Sequence, residues 1–165
     1  MGETKKKNSP FTGHQTKLAA GDKAPAFETK DQAGNTVRLE DFSGKNLVLY
    51  FYPKDNTPTC TNQACRLRDD YNQLLERGFT ILGVSADDEI SHAKFIRKFK
   101  LPYPLLADTD MKMIRDYDVW GTKMLFGRIM EGIIRTTFII GSDGIIKEII
   151  RDIDSKNHGK QILGI

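Results

Sequence analysis

Residues 46–52, Asn-Leu-Val-Leu-Tyr-Phe-Tyr, form an almost unbroken apolar run that Pro53 stops, and an apolar stripe at helical spacing follows soon after: Ala64, Leu67, Tyr71, Leu74 and Leu75. A buried strand that feeds a helix through a proline commits the chain to an α/β arrangement. Thr57 has the character of an N-cap, and Pro58 suits the first helical position. Cys60 then falls in the first helical turn. There, unpaired backbone N–H groups and the positive end of the helix dipole favour an anion, and so thiolate over thiol.

Both cysteines of the chain, Cys60 and Cys65, lie in this junction. Five residues apart on a helix, they differ by roughly 140° in direction and sit about 8 to 9 Å apart at Cα. Disulfides rarely span more than about 7 Å. Any bond between the two sulfurs therefore requires the first helical turns to unwind. The plainer reading is that Cys60 continues the apolar stripe four residues before Ala64 as an inert core thiol. Helix start, flanking Pro53 and Thr57, and a second cysteine close by together favour a reactive pair.

The segments Tyr50-Phe-Tyr-Pro-Lys54 and Thr57-Pro-Thr-Cys60-Thr-Asn-Gln-Ala-Cys65-Arg-Leu-Arg-Asp69 resemble the Pro-x-x-x-Thr-x-x-Cys signature of peroxiredoxins. The four-residue gap between cysteines is similar to the bacterioferritin comigratory protein, or peroxiredoxin Q, branch. The likeness runs from about Leu18 to Leu163, through Gly21-Asp22-Lys-Ala-Pro25-Ala-Phe27, Val119-Trp120-Gly121 and Arg135-Thr-Thr-Phe138. It implies a thioredoxin-like fold and a thiol peroxidase acting on hydrogen peroxide and organic hydroperoxides, without cofactor or metal.

By that resemblance Cys60 is the peroxidatic nucleophile, whose thiolate attacks a peroxide oxygen and becomes a sulfenic acid. Cys65 is the resolving residue, closing an intramolecular disulfide that thioredoxin or a similar dithiol reduces. Thr57 bonds the peroxide and the thiolate with its hydroxyl, a role compatible with capping. Arg135 brings a fixed cation and a planar fork of donors to the sulfur, although on its own it reads as an edge or surface residue. Pro53 screens the pocket from water, or is simply a strand breaker. Relatives of this branch continue the terminal helix past Ile165, so a frayed or shortened end is expected.

At 165 residues and 39% apolar, the chain suits one domain. Its net charge of +3 resides in residues 1–25, where Lys5, Lys6, Lys7, Lys17 and Lys23 outnumber Glu3 and Asp22. The remainder is balanced, without the basic excess of a nucleic-acid binder. Residues 1–17 read as a flexible basic arm before a domain over 18–165. No apolar stretch is long enough to span a membrane, Lys6 stands where a myristoylation signal wants Ser or Thr, and no secretory signal is evident, so a cytoplasmic protein is expected, and a monomer because the resolving cysteine is implied to lie in the same chain.

A central mixed sheet with helices on its faces is expected, behind an N-terminal hairpin of residues 26–30 and 36–40 turning at Gly34-Asn35. Later elements are a strand at 79–85 after a helix stop at Gly78, a helix over 90–100, a strand at 104–107 and a helix over 111–117. A hairpin of 136–140 and 144–150 and a last helix from about Ser155 complete the set. His14, His92 and His158 are scattered and make no zinc-type spacing with the cysteines. Asp87, Asp88 and Glu89 read as a helix cap and first turn. Trp120, Met124, Phe126 and Met130 read as core packing before an active-site collar. Two competing functions remain: a general thiol–disulfide oxidoreductase, which usually spaces its cysteines as Cys-x-x-Cys, and a redox-sensing holdase.

Overall fold

The structure is a computed structural model that describes residues 13–165. Expectations for residues 1–12, including the basic cluster Lys5–Lys7, lie outside the described residues. The last five residues of the expected arm are held against the domain. His14 Nε2 lies 3.0 Å from an Asp118 carboxylate oxygen, and the buried Thr16 hydroxyl donates to the Tyr117 carbonyl at 2.7 Å.

The chain begins with a small antiparallel hairpin, β1 (Glu28–Lys30) and β2 (Thr36–Arg38), followed by a 3-10 turn over Leu39–Phe42. Five strands form the main sheet: β3 (Asn46–Phe51), β4 (Phe79–Ser85), β5 (Leu105–Ala107), β8 (Thr136–Ile140) and β9 (Ile146–Ile150). Their order is β5-β4-β3-β8-β9, with β3, β4 and β5 parallel and β8 antiparallel to both its neighbours, β3 and β9. The helices are α1 (Pro58–Asp69), α2 (Tyr71–Glu76), α3 (Glu89–Phe99), α4 (Lys112–Asp116) and α5 (His158–Leu163).

Central position explains why β3 reads as a continuous apolar run rather than an alternating one. Leu47, Leu49 and Phe51 enter one core with Leu82, Ile114, Tyr117 and Phe138. Val48, Tyr50 and Tyr52 enter the opposite core with Cys60, Ala64, Leu67, Phe95 and Ile162. Helices thus cover both faces of a mixed sheet, the expected thioredoxin-like arrangement. Within the cysteine-side core, the Tyr50 and Tyr103 hydroxyls lie 3.0 Å apart, and Tyr103 donates to the Ala64 carbonyl at 2.9 Å, tying α1 to the sheet. Burial pushes both phenols well above their ordinary range, so both stay neutral donors.

The sequence does not announce one element. Strands β6 (Trp120–Leu125) and β7 (Arg128–Ile133) form a separate two-stranded hairpin, paired from Trp120–Ile133 to Leu125–Arg128. Core packing was expected of most of Trp120, Met124, Phe126 and Met130, but all four are exposed, Phe126 by 93%. The correction has a plain cause: the hairpin's strands bond each other rather than the main sheet, so neither face is sandwiched.

Candidate active site

Pro53 ends the central strand at its carboxyl edge, and residues 53–57 turn the chain into α1. Asn56 takes a left-handed φ of 61° in this turn, and Thr57 occupies the N-cap position with extended backbone. The Thr57 hydroxyl does not cap the helix, however. It donates back to the Lys54 carbonyl at 2.9 Å, which leaves the first N–H groups of α1 without a side-chain acceptor from it. Cys60, third residue of α1, is 2% exposed and points into the core side that contains Tyr50 and Tyr52.

Strand β8 carries the opposing group. Half-buried Arg135, just before the strand, places Nη2 3.4 Å from Cys60 Sγ and donates from Nη1 to Gln63 Oε1 at 2.8 Å. Strand alternation explains the placement: Arg135 and Thr137 face α1 and α5, while Thr136 turns to the other side. The surface-residue reading of Arg135 therefore fails, because the helix start fills the space above it. A planar fork spanning sulfur and amide holds the cation where negative charge on sulfur is stabilised.

Sequence reasoning missed two further residues. Gln63 is fully buried, and its Nε2 finds no acceptor among the described residues. Lys123 on β6 donates to the Ile133 carbonyl at 2.9 Å, and burial together with the Arg135 charge pulls its pKa down, partly offset by Cys60. Gln63 could have been found from helical spacing, one turn after Cys60. Lys123 lay in the hairpin that was not anticipated.

Cys65 is partly buried, and both cysteines are free thiols on an unbroken α1. Burial pushes the Cys65 thiol up, against a smaller downward pull from Arg68. On this intact helix the five-residue spacing keeps the two cysteines about 8 to 9 Å apart at Cα. Pro53, half-buried, lies upstream of the same loop.

The histidines are apart from one another, but His92 is not isolated. It is fully buried, with Nδ1 2.7 Å from Asp55 and Nε2 2.8 Å from the Leu106 carbonyl. Asp88 caps α3 as expected, accepting from the Ser91 N–H at 2.8 Å, whereas Asp87 turns inward to accept from Ser85 and the Asp55 backbone.

A thioredoxin-like sheet that presents a helix-start cysteine to an arginine defines a thiol peroxidase. The chain belongs to the AhpC/TSA family, whose profile matches residues 20–149, and it is a peroxiredoxin. It is 43% identical to Peroxiredoxin Bcp of Bacillus subtilis over 146 residues, covering 88% of this chain and 93% of that protein. Peroxiredoxin Bcp of Escherichia coli K12 is 41% identical over the same length, with 94% of it covered. Among solved structures, a cysteine mutant of Xylella fastidiosa PrxQ superposes with a TM-score of 0.83 at 30% identity, covering 91% of this chain and 96% of that one. The bacterioferritin comigratory protein of Xanthomonas campestris, described for alkyl peroxide reduction, gives 0.80 at 31% identity, covering 88% and 96%.

Proposed function

We propose that this thiol-dependent peroxidase works through Cys60 as peroxidatic and Cys65 as resolving cysteine of the same chain. The observation that carries the reading is the 3.4 Å approach of Arg135 Nη2 to Cys60 Sγ at the start of α1. The Cys60 thiolate attacks one oxygen of a hydroperoxide; the O–O bond breaks, the sulfur is oxidised to sulfenic acid, and the other oxygen leaves as water or alcohol after taking a proton. Arg135 and the N–H groups at the helix start stabilise the charge that develops on the departing oxygen. Thr57 swings its hydroxyl from the Lys54 carbonyl to the peroxide when substrate enters, and Pro53 screens the pocket.

Unwinding the first turns of α1 then brings Cys65 to the sulfenic acid, forming a disulfide and releasing water. A dithiol such as thioredoxin restores both thiols by exchange. Hydrogen peroxide and small organic hydroperoxides are the substrates, and the protein acts as a cytoplasmic monomer in antioxidant defence.

The test combines stopped-flow Trp120 fluorescence with mass spectrometry of the products. Reduced protein is expected to lose two hydrogens on reaction with hydrogen peroxide, Cys65→Ser to stop at sulfenic or over-oxidised Cys60, and Cys60→Ser to lose turnover. Retained turnover in Cys60→Ser would sink the assignment. Five-residue spacing weighs against a general thiol–disulfide oxidoreductase, and faster reduction of insulin than of peroxide would revive it.

A further inference from the structure

The loop between β3 and α1 is fastened at one residue far more strongly than a connecting turn requires. Asp55, nearly buried, accepts from the Tyr52 hydroxyl at 2.5 Å, the Ser91 hydroxyl at 2.8 Å and His92 Nδ1 at 2.7 Å. Its own backbone N–H donates to Asp87 at 2.8 Å, and that carboxylate is held by the Ser85 hydroxyl at 2.7 Å. One loop residue is thereby tied to the ends of β3 and β4 and to α3, and through His92 Nε2 to the Leu106 carbonyl on β5. Both ring nitrogens of His92 thus lie within hydrogen-bond distance of oxygen, one on the loop and one on the sheet.

The position of this clamp is what gives it meaning. Two residues downstream stands Thr57, and five downstream Cys60. Asn56, between the clamp and the helix cap, carries the left-handed backbone that turns the chain into the helix, a conformation asparagine tolerates better than most residues with a side chain. We propose that Asp55 and His92 are the positioning pair of the peroxidase reaction. They hold the loop so that Thr57 and Cys60 meet peroxide in register, and they stay fixed while α1 unwinds from Asn56 onward.

This inference rests on the proposed roles of Cys60 and Cys65, and its test separates the two. In a Cys65→Ser background, which isolates the first step, Asp55→Asn and the milder Ser91→Ala are compared for oxidation of Cys60 by hydrogen peroxide and for its alkylation by iodoacetamide. Alkylation asks only for a thiolate, whereas peroxide reduction also needs alignment. Misplacement by about an ångström costs on the order of tenfold to a hundredfold. Oxidation is expected to fall about tenfold in Asp55→Asn and a few-fold in Ser91→Ala, with alkylation undiminished.

Hydrogen exchange of the oxidised parent should show residues 57–65 losing protection while the Asp55 amide keeps it. If oxidation stays within twofold of the parent in folded variants, or falls in step with alkylation, the positioning role is overturned. Should Asp55→Asn fail to fold, Ser91→Ala decides by the same criterion. Loss of protection at Asp55 in the oxidised parent would overturn the fixed clamp. Retained turnover in Cys60→Ser would instead strike at the reading beneath it.

Discussion

Arg135 and Cys60 meet across 75 positions of sequence, with the guanidinium within hydrogen-bond reach of the sulfur. Replacing the guanidinium by an apolar chain of similar length removes a donor from the sulfur and from the leaving oxygen. Arg135→Met is expected to lower the rate of Cys60 oxidation by about a hundredfold, the usual consequence of deleting one preorganised donor. Peroxide-dependent stopped-flow traces measure it, and a loss below threefold would remove Arg135 from the reaction. The placement of Cys60 at a helix start was legible because helix start, proline and paired cysteines are local signals. Arg135 was legible only by resemblance, since strand alternation alone does not reveal which helix lies above it. Gln63 and Lys123 escaped for the same reason: their meaning is a contact through space.

The helix α5 depends on one buried ring. His158 Nδ1 lies 2.8 Å from Gln161 Oε1 and Nε2 2.8 Å from the Thr137 hydroxyl. Gln161 Oε1 also accepts the Asp154 N–H, so Nδ1 donates and Nε2 accepts, which describes a neutral imidazole. Burial is the main cause that pulls the His158 pKa below its ordinary 6.5, with Arg135 adding to it. A depressed folded-state pKa gives stability that is present above the unfolded value and lost as pH falls through the folded one. The melting temperature should therefore decline as pH drops below about 6.5, and His158→Gln should flatten that part of the profile. An unchanged slope in the variant would exclude His158 as its source.

Most elements could be read from local pattern. The strand expected at 79–85 is β4, and the helix expected at 90–100 differs from α3 by one residue at each end. The β6–β7 hairpin could not be read in this way. Its exposed Trp120, Met124, Leu125, Phe126, Ile129 and Met130 imitate core residues, and Gly121 and Gly132 interrupt any strand-like run. Hydrophobicity predicts burial only where another layer covers the face, and here the sheet order supplies none.

For the molecule as a whole, the intrachain cycle makes a kinetic claim. Disulfide formation after a stoichiometric peroxide pulse should proceed at a rate independent of protein concentration, followed by rapid quenching and mass measurement. A rate proportional to concentration, or disulfide-linked dimers on non-reducing gels, would place the resolving thiol on a second copy. Topology was the most legible property at this scale, because strands alternating with helices leave few arrangements. The joining of distant parts was not legible. Residues 13–17 lie along the domain through Thr16 and Asp118, and no local pattern in a lysine-bearing segment foretells that attachment.

The far end of α1 is also secured. Asp70, directly after the helix, receives Lys160 Nζ at 2.7 Å, and Gly159 presses so closely on Asp70 that a Cβ there would collide with it. The helix resembles a bridge span between two standing abutments, Asp55 and Asp70. In the proposed cycle the span drops to let the sulfurs meet while its ends stay a fixed distance apart, so re-forming it costs little loop-closure entropy. Re-forming α1 after reduction is then a local event on the order of a microsecond. On the proposed cycle that is far shorter than the encounter with a reductant, so arriving partners, and hardly at all the return of the helix, would set the pace.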